Sequence, residues 1–277
     1  EELVLFDEPD VGAMLAHAER DGRLGSELGT AVPLAEAELA PVVVQPAKVV
    51  CVGLNYREHI LETGRELPLF PTLFAKWSDC LIGPADELML PTDSTFADWE
   101  AELAVVVGRT VHRATEEEAR GAIAGFTVSN DVTMRDWQRR TLQWLQGKAF
   151  YRSTPLGPML VTGDEVGHGH DLAVTCHVNG DLVQAARTSS LVFDPVALVA
   201  YASRIGPLRP GDVILTGTPG GVGERMSPPR HLQPDEVLVT EIEGLGRCEN
   251  RCTVTSAVPS TGVGGGVPTS VADQQPA

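Results

Sequence analysis

Apolar positions along the chain follow two patterns, and both are typical of strands. Some stretches, such as residues 48–53, are short and almost continuously apolar, which indicates buried strands. Others, such as residues 236–242, alternate between apolar and polar positions, which indicates strands with one buried face. Asn179-Gly180 is the strongest hairpin signal in the chain. Together these patterns predict strands at residues 48–53, 72–76, 98–107, 125–131, 159–162, 173–178, 182–184, 213–216, 236–242 and 247–255.

Helical patterns are fewer and shorter. Thr115 and Glu118 have the spacing of a capping box, in which each side chain binds a backbone amide at the start of a helix. Asn55 and Thr133 are expected to be the N-caps of two further short helices. Residues 153–158 are rich in proline and glycine, so we expect a turn there. The longer helices are predicted at residues 11–23, 116–124 and 194–203.

These elements predict an α+β fold that is mainly β. We expect a small N-terminal subdomain at residues 1–45, a larger domain at residues 46–256 and a disordered tail at residues 257–277. The tail is assigned as disordered because it is rich in Pro, Ser, Thr and Gly and shows no periodicity.

Two carboxylates lie at the start of the strand predicted at residues 98–107. Because side chains alternate between the faces of a strand, Glu100 and Glu102 point the same way, opposite to Leu103. Two like charges held side by side repel each other unless a cation lies between them. Asp131 ends the next predicted strand and is a candidate third ligand. Three carboxylates suit Mg²⁺ or Mn²⁺, and no Cys/His cluster here suits zinc. The alternative is that both glutamates lie on a solvated strand face.

Composition narrows the set of partners. The chain has 277 residues, of which 43% are hydrophobic, so it can bury a substantial core. Its net charge of -17 argues against nucleic acid and anionic membranes as partners and favours a small molecule. Five cysteines, an odd number, fit reduced thiols in a cytoplasmic protein better than disulfides. We expect no signal peptide and no membrane span.

Two further stretches carry candidate chemistry. His59 and Glu62 are three residues apart on a predicted helix, where a carboxylate can orient an imidazole and raise its basicity. A purely structural pair is the alternative. Residues 217–223 form a glycine-rich loop after a strand, but a phosphate cradle is rejected because Pro219 lacks an amide donor. We expect a tight turn that faces the substrate.

Five motifs occur in a single order along residues 46–256, and together they resemble the fumarylacetoacetate hydrolase family. The motifs are Gly53-Leu54-Asn55-Tyr56 with His59 and Glu62, Trp99-Glu100-Ala101-Glu102-Leu103, Asn130-Asp131-Val132-Thr133-Met134-Arg135-Asp136-Trp137-Gln138, Gly147-Lys148, and Thr216-Gly217-Thr218-Pro219-Gly220-Gly221-Val222-Gly223.

The resemblance implies a mixed β-roll or sandwich catalytic domain, a homodimer, and Mg²⁺ as cofactor, with Mn²⁺ or Ca²⁺ as alternatives. It implies a small dicarboxylic or keto-acid substrate. It also implies roles for nine residues: Glu100, Glu102 and Asp131 as metal ligands, His59, Glu62 and Lys148 as catalytic residues, and Arg135, Gln138 and Thr218 as substrate contacts.

The function implied first is hydrolysis of a carbon–carbon bond in an acylpyruvate or β-diketo acid, such as fumarylpyruvate. Two alternatives use the same site: decarboxylation of oxaloacetate, and enol–keto isomerisation of an acid of the oxaloacetate or 2-hydroxyhepta-2,4-diene-1,7-dioate type. A third alternative is a non-catalytic protein that keeps the fold. Residues 63–71 are expected to act as a lid. Trp77 and Tyr151 depart from the residues of many family members, and we expect them to alter the pocket.

Overall fold

The computed structural model of the protein describes residues 2–23, 27–62 and 64–254. The strands are β1 (Glu2–Phe6), β2 (Glu27–Pro33), β3 (Val49–Gly53), β4 (Thr72–Lys76), β5 (Leu81–Ile82), β6 (Leu88–Leu90), β7 (Ala97–Asp98), β8 (Ala101–Val107), β9 (Ile123–Asn130), β10 (Thr133–Met134), β11 (Thr154–Val161), β12 (Ala173–Val178), β13 (Asp181–Arg187), β14 (Val213–Leu215), β15 (Val237–Ile242) and β16 (Gly246–Val254). The α-helices are α1 (Val11–Asp21), α2 (Arg57–Glu62), α3 (Glu116–Ala122), α4 (Arg135–Gln138), α5 (Leu145–Lys148) and α6 (Pro195–Ile205). The predicted α+β, mainly β composition is confirmed.

Two large mixed sheets form the body of the protein. The seven-stranded sheet has the order β4-β3-β14-β8-β9-β11-β5, and the five-stranded sheet has the order β13-β12-β15-β16-β6. The predicted Asn179-Gly180 hairpin joins β12 to β13, which pair antiparallel. Strand β8 lies in the middle of the larger sheet, between β14 and β9. The carboxylates at its start are therefore held by strands on both sides.

Strand β8 is buried along its whole length and separates two apolar clusters. Its odd-numbered residues, such as Leu103 and Val105, belong to the main core, which also contains Val174 of β12 and Leu238 of β15. Its even-numbered Ala104 belongs to a second cluster on the other face. The predicted alternation of β8 is therefore confirmed, and the main core lies between the two sheets.

The N-terminal segment covers the outer face of the larger sheet. Helix α1 begins after Asp10, whose Oδ1 accepts a hydrogen bond from the Ala13 amide at 2.7 Å. Val11 and Leu15 of this helix pack against the second apolar cluster. Among the described residues, no helix has the length and apolar character needed to cross a membrane. The predicted domain boundaries remain predictions, and the predicted tail at 257–277 lies outside the described residues.

Two short-range predictions are wrong because long-range contacts compete with them. Thr133 was expected to cap a helix, but it lies in β10, where it pairs with Asp98 of β7, and its hydroxyl donates to the backbone oxygen of Asp131 at 2.8 Å. Residues 153–158 were expected to be a turn, but most of them belong to β11, which pairs with β9 and β5. The carbonyl of Pro155 accepts a hydrogen bond from Ser129 at 2.8 Å, which fixes the proline-containing strand in the sheet.

Asn55 is also not the N-cap that its sequence context predicts. Its Nδ2 donates to the backbone oxygens of Thr216 and Phe193 at 2.8 and 2.9 Å. Its Oδ1 accepts from the amide of Phe193 at 2.9 Å. The side chain is fully buried, so Asn55 joins three distant segments around the start of the glycine-rich loop.

Replacing Asn55 with alanine is expected to destabilise the protein by about 3 kcal/mol, because several buried backbone groups lose their hydrogen-bond partners. Chemical denaturation monitored by tryptophan fluorescence measures this change. The exposed Gln143 supplies the matched control, since Gln143→Ala is expected to change the free energy of unfolding by less than about 0.5 kcal/mol. Equal stability of the two variants would contradict the role of Asn55.

Candidate active site

Three carboxylates meet where β8 and β9 lie side by side. Glu100 immediately precedes β8, Glu102 is its second residue, and Asp131 directly follows β9. The amide of Asp131 donates to the carbonyl of Glu100 at 2.8 Å, and the amide of Glu100 donates to the side chain of Asn130 at 2.8 Å. One oxygen from each of the three carboxylates lies within 4.8 Å of the other two, and all three residues are buried.

Glu102 has the least favourable environment for a negative charge. Burial and then the charges of Asp131 and Glu100 raise its pKa well above the usual value, although Lys148 opposes this shift. One compensating contact is the amide of Gly217, which donates to Oε2 of Glu102 at 2.7 Å. A carboxylate in such a position is stabilised by a cation placed among the three oxygens.

Two lysines neutralise Asp131 on opposite sides. Nζ of Lys148 lies 2.8 Å from Oδ2 of Asp131 and 2.5 Å from Oε2 of Glu100. Nζ of Lys76 lies 2.6 Å from Oδ1 of Asp131. Burial alone would raise the pKa of Asp131, but Lys148 and Lys76 outweigh it and hold the pKa below the usual value. Asp131 is therefore an ionised carboxylate.

Lys148 is permanently charged at neutral pH. Burial alone would lower its pKa, but the carboxylates of Asp131 and Glu100 raise it above the usual value. The preceding residue, Gly147, allows the close approach of α5 to α4, since an added Cβ would lie 2.3 Å from the amide nitrogen of Gln138. A lysine with a raised pKa supplies positive charge but cannot serve as a general base.

Arg135 connects the carboxylates to a second buried acid. Its Nη1 lies 2.7 Å from Oε1 of Glu100, and its Nε lies 2.8 Å from Oδ2 of Asp98. The same Nη1 donates to Oε1 of Gln138 at 3.1 Å, so these two predicted substrate contacts touch each other. Burial alone would lower the pKa of Arg135, but Glu100 and Asp98 raise it, and the side chain stays charged.

The sequence did not single out three residues that organise this site. Lys76 forms an ion pair with Asp131, and Asp98 forms an ion pair with Arg135. Gln184 of β13 accepts from the amide of Ala101 at 3.0 Å and donates to the hydroxyl of Thr218 at 2.9 Å. It thereby ties the glycine-rich loop to the start of β8. The sequence did offer one signal for two of these residues. Lys76 and Asp98 are the only charged residues of β4 and β7, and each is the last residue of its strand.

Part of this site faces a cavity of about 540 Å³, whose lining residues do not include Asp131, Lys76, Asp98 or Gln184. The predicted site residues that line it are His59, Glu100, Glu102, Arg135, Gln138, Lys148 and Thr218. Thr218 belongs to the glycine-rich loop, which fits the expected turn toward the substrate. The side chain of Glu62 lies outside the described part of the structure, so its pairing with His59 stays a prediction. Trp77 and Tyr151 are both 58% exposed and do not line the cavity.

The donor set fits a hard divalent cation. Glu100, Glu102 and Asp131 offer carboxylate oxygens, which Mg²⁺, Mn²⁺ and Ca²⁺ prefer. The five cysteines are instead buried and form no disulfide. Burial raises the pKa of Cys248 to about 12, although the hydrogen bond that its Sγ donates to the carbonyl of Gly157 at 3.5 Å opposes this shift, so the thiol stays protonated.

The class of protein is defined by two mixed sheets with the main core between them and by a buried carboxylate cluster at the strand ends that could hold a cation. The chain belongs to the fumarylacetoacetate hydrolase family. Residues 48–253 match the family model described as Fumarylacetoacetate (FAA) hydrolase C-terminal. The resemblance seen in the motifs, and the β-roll type of fold that it implied, are both confirmed.

Proteins that are similar to this chain are named for different activities. The mitochondrial oxaloacetate tautomerase fahd2 of Xenopus laevis is 45% identical over 214 residues, which cover 76% of this chain and 67% of that protein. The structure of 2-hydroxyhepta-2,4-diene-1,7-dioate isomerase from Mycobacterium marinum has a TM-score of 0.74 and 34% identity, with 84% of each chain covered.

A third relative carries ligands. The fumarylpyruvate hydrolase from Pseudomonas aeruginosa, solved in complex with Mn²⁺ and pyruvate, has a TM-score of 0.69 and 32% identity, and covers 79% of this chain and 98% of its own. The relatives are thus enzymes named for reactions of small organic acids. The predicted homodimer and cytoplasmic location of this chain remain predictions.

Proposed function

We propose that the protein is a divalent-metal-dependent enzyme that interconverts the enol and keto forms of a 2-oxo acid of the oxaloacetate type. The observation that carries the proposal is the buried triad of Glu100, Glu102 and Asp131, because Glu100 and Glu102 line the same cavity as His59. The similarity to an oxaloacetate tautomerase supports this reaction over the carbon–carbon hydrolysis expected first from the sequence.

The residues divide into those that hold a cation and those that act on the substrate. Glu100, Glu102 and Asp131 would hold Mg²⁺ or Mn²⁺. When bound, such an ion withdraws charge from the 2-oxo acid and lowers the cost of its enolate form. The similarity to a hydrolase solved with Mn²⁺ supports this cofactor class.

Lys148 and Arg135 stabilise negative charge on the substrate oxygens. Both side chains are buried, and both have a raised pKa, so they remain cationic while the substrate passes through its enolate. Fixed charges in a site shielded from water stabilise a developing anion without reorganising. Gln138 and Thr218 supply neutral hydrogen-bonding groups to the same cavity.

His59 is the residue we assign to proton transfer. Interconversion of enol and keto forms moves one proton between the substrate oxygen and the neighbouring carbon, with no net change in composition. Lys148 and Arg135 hold their protons too firmly for this task, whereas an imidazole titrates close to neutral pH. His59 is the only histidine among the described residues that line the cavity.

Hydrolysis of an acylpyruvate is the second candidate. It is favoured by the similarity to fumarylpyruvate hydrolase and by His59, which in that reaction would take a proton from the attacking water. Decarboxylation of oxaloacetate requires the same stabilisation of an enolate by Lys148 and Arg135. The three reactions differ in their products.

One experiment distinguishes enol–keto interconversion, decarboxylation and hydrolysis. Enolic oxaloacetate and a panel of acylpyruvates are incubated with the protein and Mg²⁺, and the loss of enol absorbance is followed beside assays for pyruvate and for the carboxylic acid released by hydrolysis. Enol loss without new products is the expected result. Pyruvate formed from oxaloacetate would establish decarboxylation instead, and cleavage of an acylpyruvate would establish hydrolysis. A divalent ion that changes neither activity nor thermal stability would favour the non-catalytic alternative.

His59→Asn tests the proton-transfer role within the same assay. Loss of a positioned acid–base group is expected to lower kcat about 10²-fold. The stabilisation of the protein by Mg²⁺ is expected to persist, because the carboxylate triad is intact. His170→Asn, at an exposed position outside the cavity, is the matched control and should keep full activity. A His59 variant with unchanged kcat would remove His59 from the mechanism.

A further inference from the structure

The cavity concentrates positive charge in a protein whose net charge is -17. Its cationic lining residues are Arg65, Arg135, Arg139, Lys148 and Arg225. Arg135 and Lys148 are paired with Glu100. Arg139 is paired with Glu224.

Arg225 and Arg65 differ from the other three cations. Both are exposed residues, and neither has an ion-pair partner among the residues that the structure describes. Their charge is therefore available to a ligand. An arginine presents its donors as a planar fork that matches a carboxylate in a two-point contact.

The backbone that carries Arg225 is fixed to the carboxylate site. Asp98 accepts hydrogen bonds from the amides of Gly223 and Glu224 at 2.7 and 3.1 Å. The same carboxylate binds Arg135, which in turn contacts Glu100. The turn Gly223–Arg225 and the metal-ligating end of the cavity are thus held by one buried aspartate.

A second anchor acts on the other side of this turn. The indole of Trp99, which is fully buried, donates to the carbonyl of Gly221 at 3.0 Å. An added Cβ at Gly223 would lie 2.8 Å from the Trp99 ring and 2.0 Å from the carbonyl oxygen of Arg230. The loop therefore has little freedom to move relative to Glu100, so the start of the Arg225 side chain has a defined position.

We propose that Arg225, assisted by Arg65, forms a subsite for the second carboxylate of a dicarboxylic 2-oxo acid. The inference rests on the proposed function, because the carboxylate triad and Lys148 must receive the 2-oxo acid end of the same molecule. The preference among substrates then depends on the group at the end of the ligand opposite the 2-oxo acid. The enzyme selects 2-oxo diacids over 2-oxo acids that end in a methyl group.

A matched pair of ligands tests this subsite. 2-Oxoglutarate and 2-oxopentanoate have the same number of carbons and differ at the distal end, where one has a carboxylate and the other a methyl group. Their binding to the Mg²⁺-loaded full chain is measured by isothermal titration calorimetry. The unaltered protein is expected to bind the diacid at least about tenfold more tightly, since hydrogen bonds to charged groups contribute about 1.5–3 kcal/mol.

Substitutions of the two arginines test whether they cause the preference for the diacid. Arg225→Gln is expected to remove most of the tenfold preference and to leave the affinity for 2-oxopentanoate within about twofold, and adding Arg65→Gln removes the remainder. Arg204→Gln, at an exposed arginine outside the cavity, is the control that should keep the preference. Circular dichroism and the thermal midpoint show that each variant is folded.

The outcomes separate the subsite from the proposed function. A diacid preference that survives in the double variant, or no preference in the unaltered protein, overturns the subsite alone. Binding of neither acid by the unaltered protein overturns the 2-oxo acid function, and the subsite with it. A preference that disappears with Arg225 and persists in Arg204→Gln supports the subsite, whichever reaction the enzyme performs.

Discussion

Glu102→Gln is expected to lower the Mg²⁺-dependent activity about 10³-fold and to remove the stabilisation of the protein by Mg²⁺. Glutamine keeps the shape of the side chain and an acceptor for the amide of Gly217, but it removes one of three ligand charges. For the unaltered protein, Mg²⁺ at 100 times its dissociation constant adds about 2.7 kcal/mol of stability. Thermal denaturation with and without Mg²⁺, together with the enol assay, measures both effects.

Without Mg²⁺, the same variant is expected to be at least as stable as the unaltered protein. The carboxylates of Glu100, Glu102 and Asp131 lie within 4.8 Å of one another, so removing one negative charge relieves repulsion. Glu241→Gln, at an exposed position of β15, is the control and should retain activity and the Mg²⁺ effect. A Glu102 variant that is still stabilised by Mg²⁺ would show that the ion binds elsewhere.

The parts of the site that the sequence predicted are those that follow from local geometry. Alternation along a strand placed Glu100 and Glu102 on one side, and the end of the next strand placed Asp131 within reach. Motif order then added His59, Arg135, Gln138, Lys148 and Thr218, which the structure brings to one cavity. Strands β8 and β9 are neighbours both along the chain and in the sheet, so the sequence alone could place the residues at their ends together.

The residues that the sequence did not identify act across long separations. Lys76 lies 55 residues before Asp131, and Gln184 lies 83 residues after Ala101. A lysine at the end of a strand normally reaches solvent, and only the sheet order reveals that Lys76 is buried beside a carboxylate. Asn55 was misassigned for the same reason, because its partners Thr216 and Phe193 are more than a hundred residues away.

The roles that we assign to the site residues also depend on contacts that the sequence does not show. The resemblance implied that Lys148 is a catalytic residue, but the sequence alone does not show which groups surround its ammonium group. Its buried contacts with Asp131 and Glu100 raise its pKa and settle it as a fixed charge. This charge fits the proposed roles, in which His59 transfers the proton and Lys148 stabilises the enolate.

Lys76→Met is expected to destabilise the metal-free protein by about 3–5 kcal/mol, because it removes one partner of a fully buried ion pair and leaves negative charge uncompensated. Nζ of Lys76 donates to Asp131 at 2.6 Å and to the carbonyl of Val132 at 3.3 Å. Methionine is similar in length and apolar, so it fills the space without supplying the charge. Denaturant unfolding in EDTA measures the loss of stability.

Mg²⁺ distinguishes a charge effect from a packing effect. If Lys76 acts through its charge, a cation among the carboxylates compensates for part of the loss, and the Mg²⁺-induced rise in stability is larger in Lys76→Met than in the unaltered protein. Lys48→Met is the matched control: Lys48 lies 2.7 Å from Asp212 but is 33% exposed, so a loss of about 1 kcal/mol and no change in the Mg²⁺ effect are expected. An equal Mg²⁺ effect in all three proteins would assign Lys76 a packing role, and the positive charge around Asp131 would then rest on Lys148 alone.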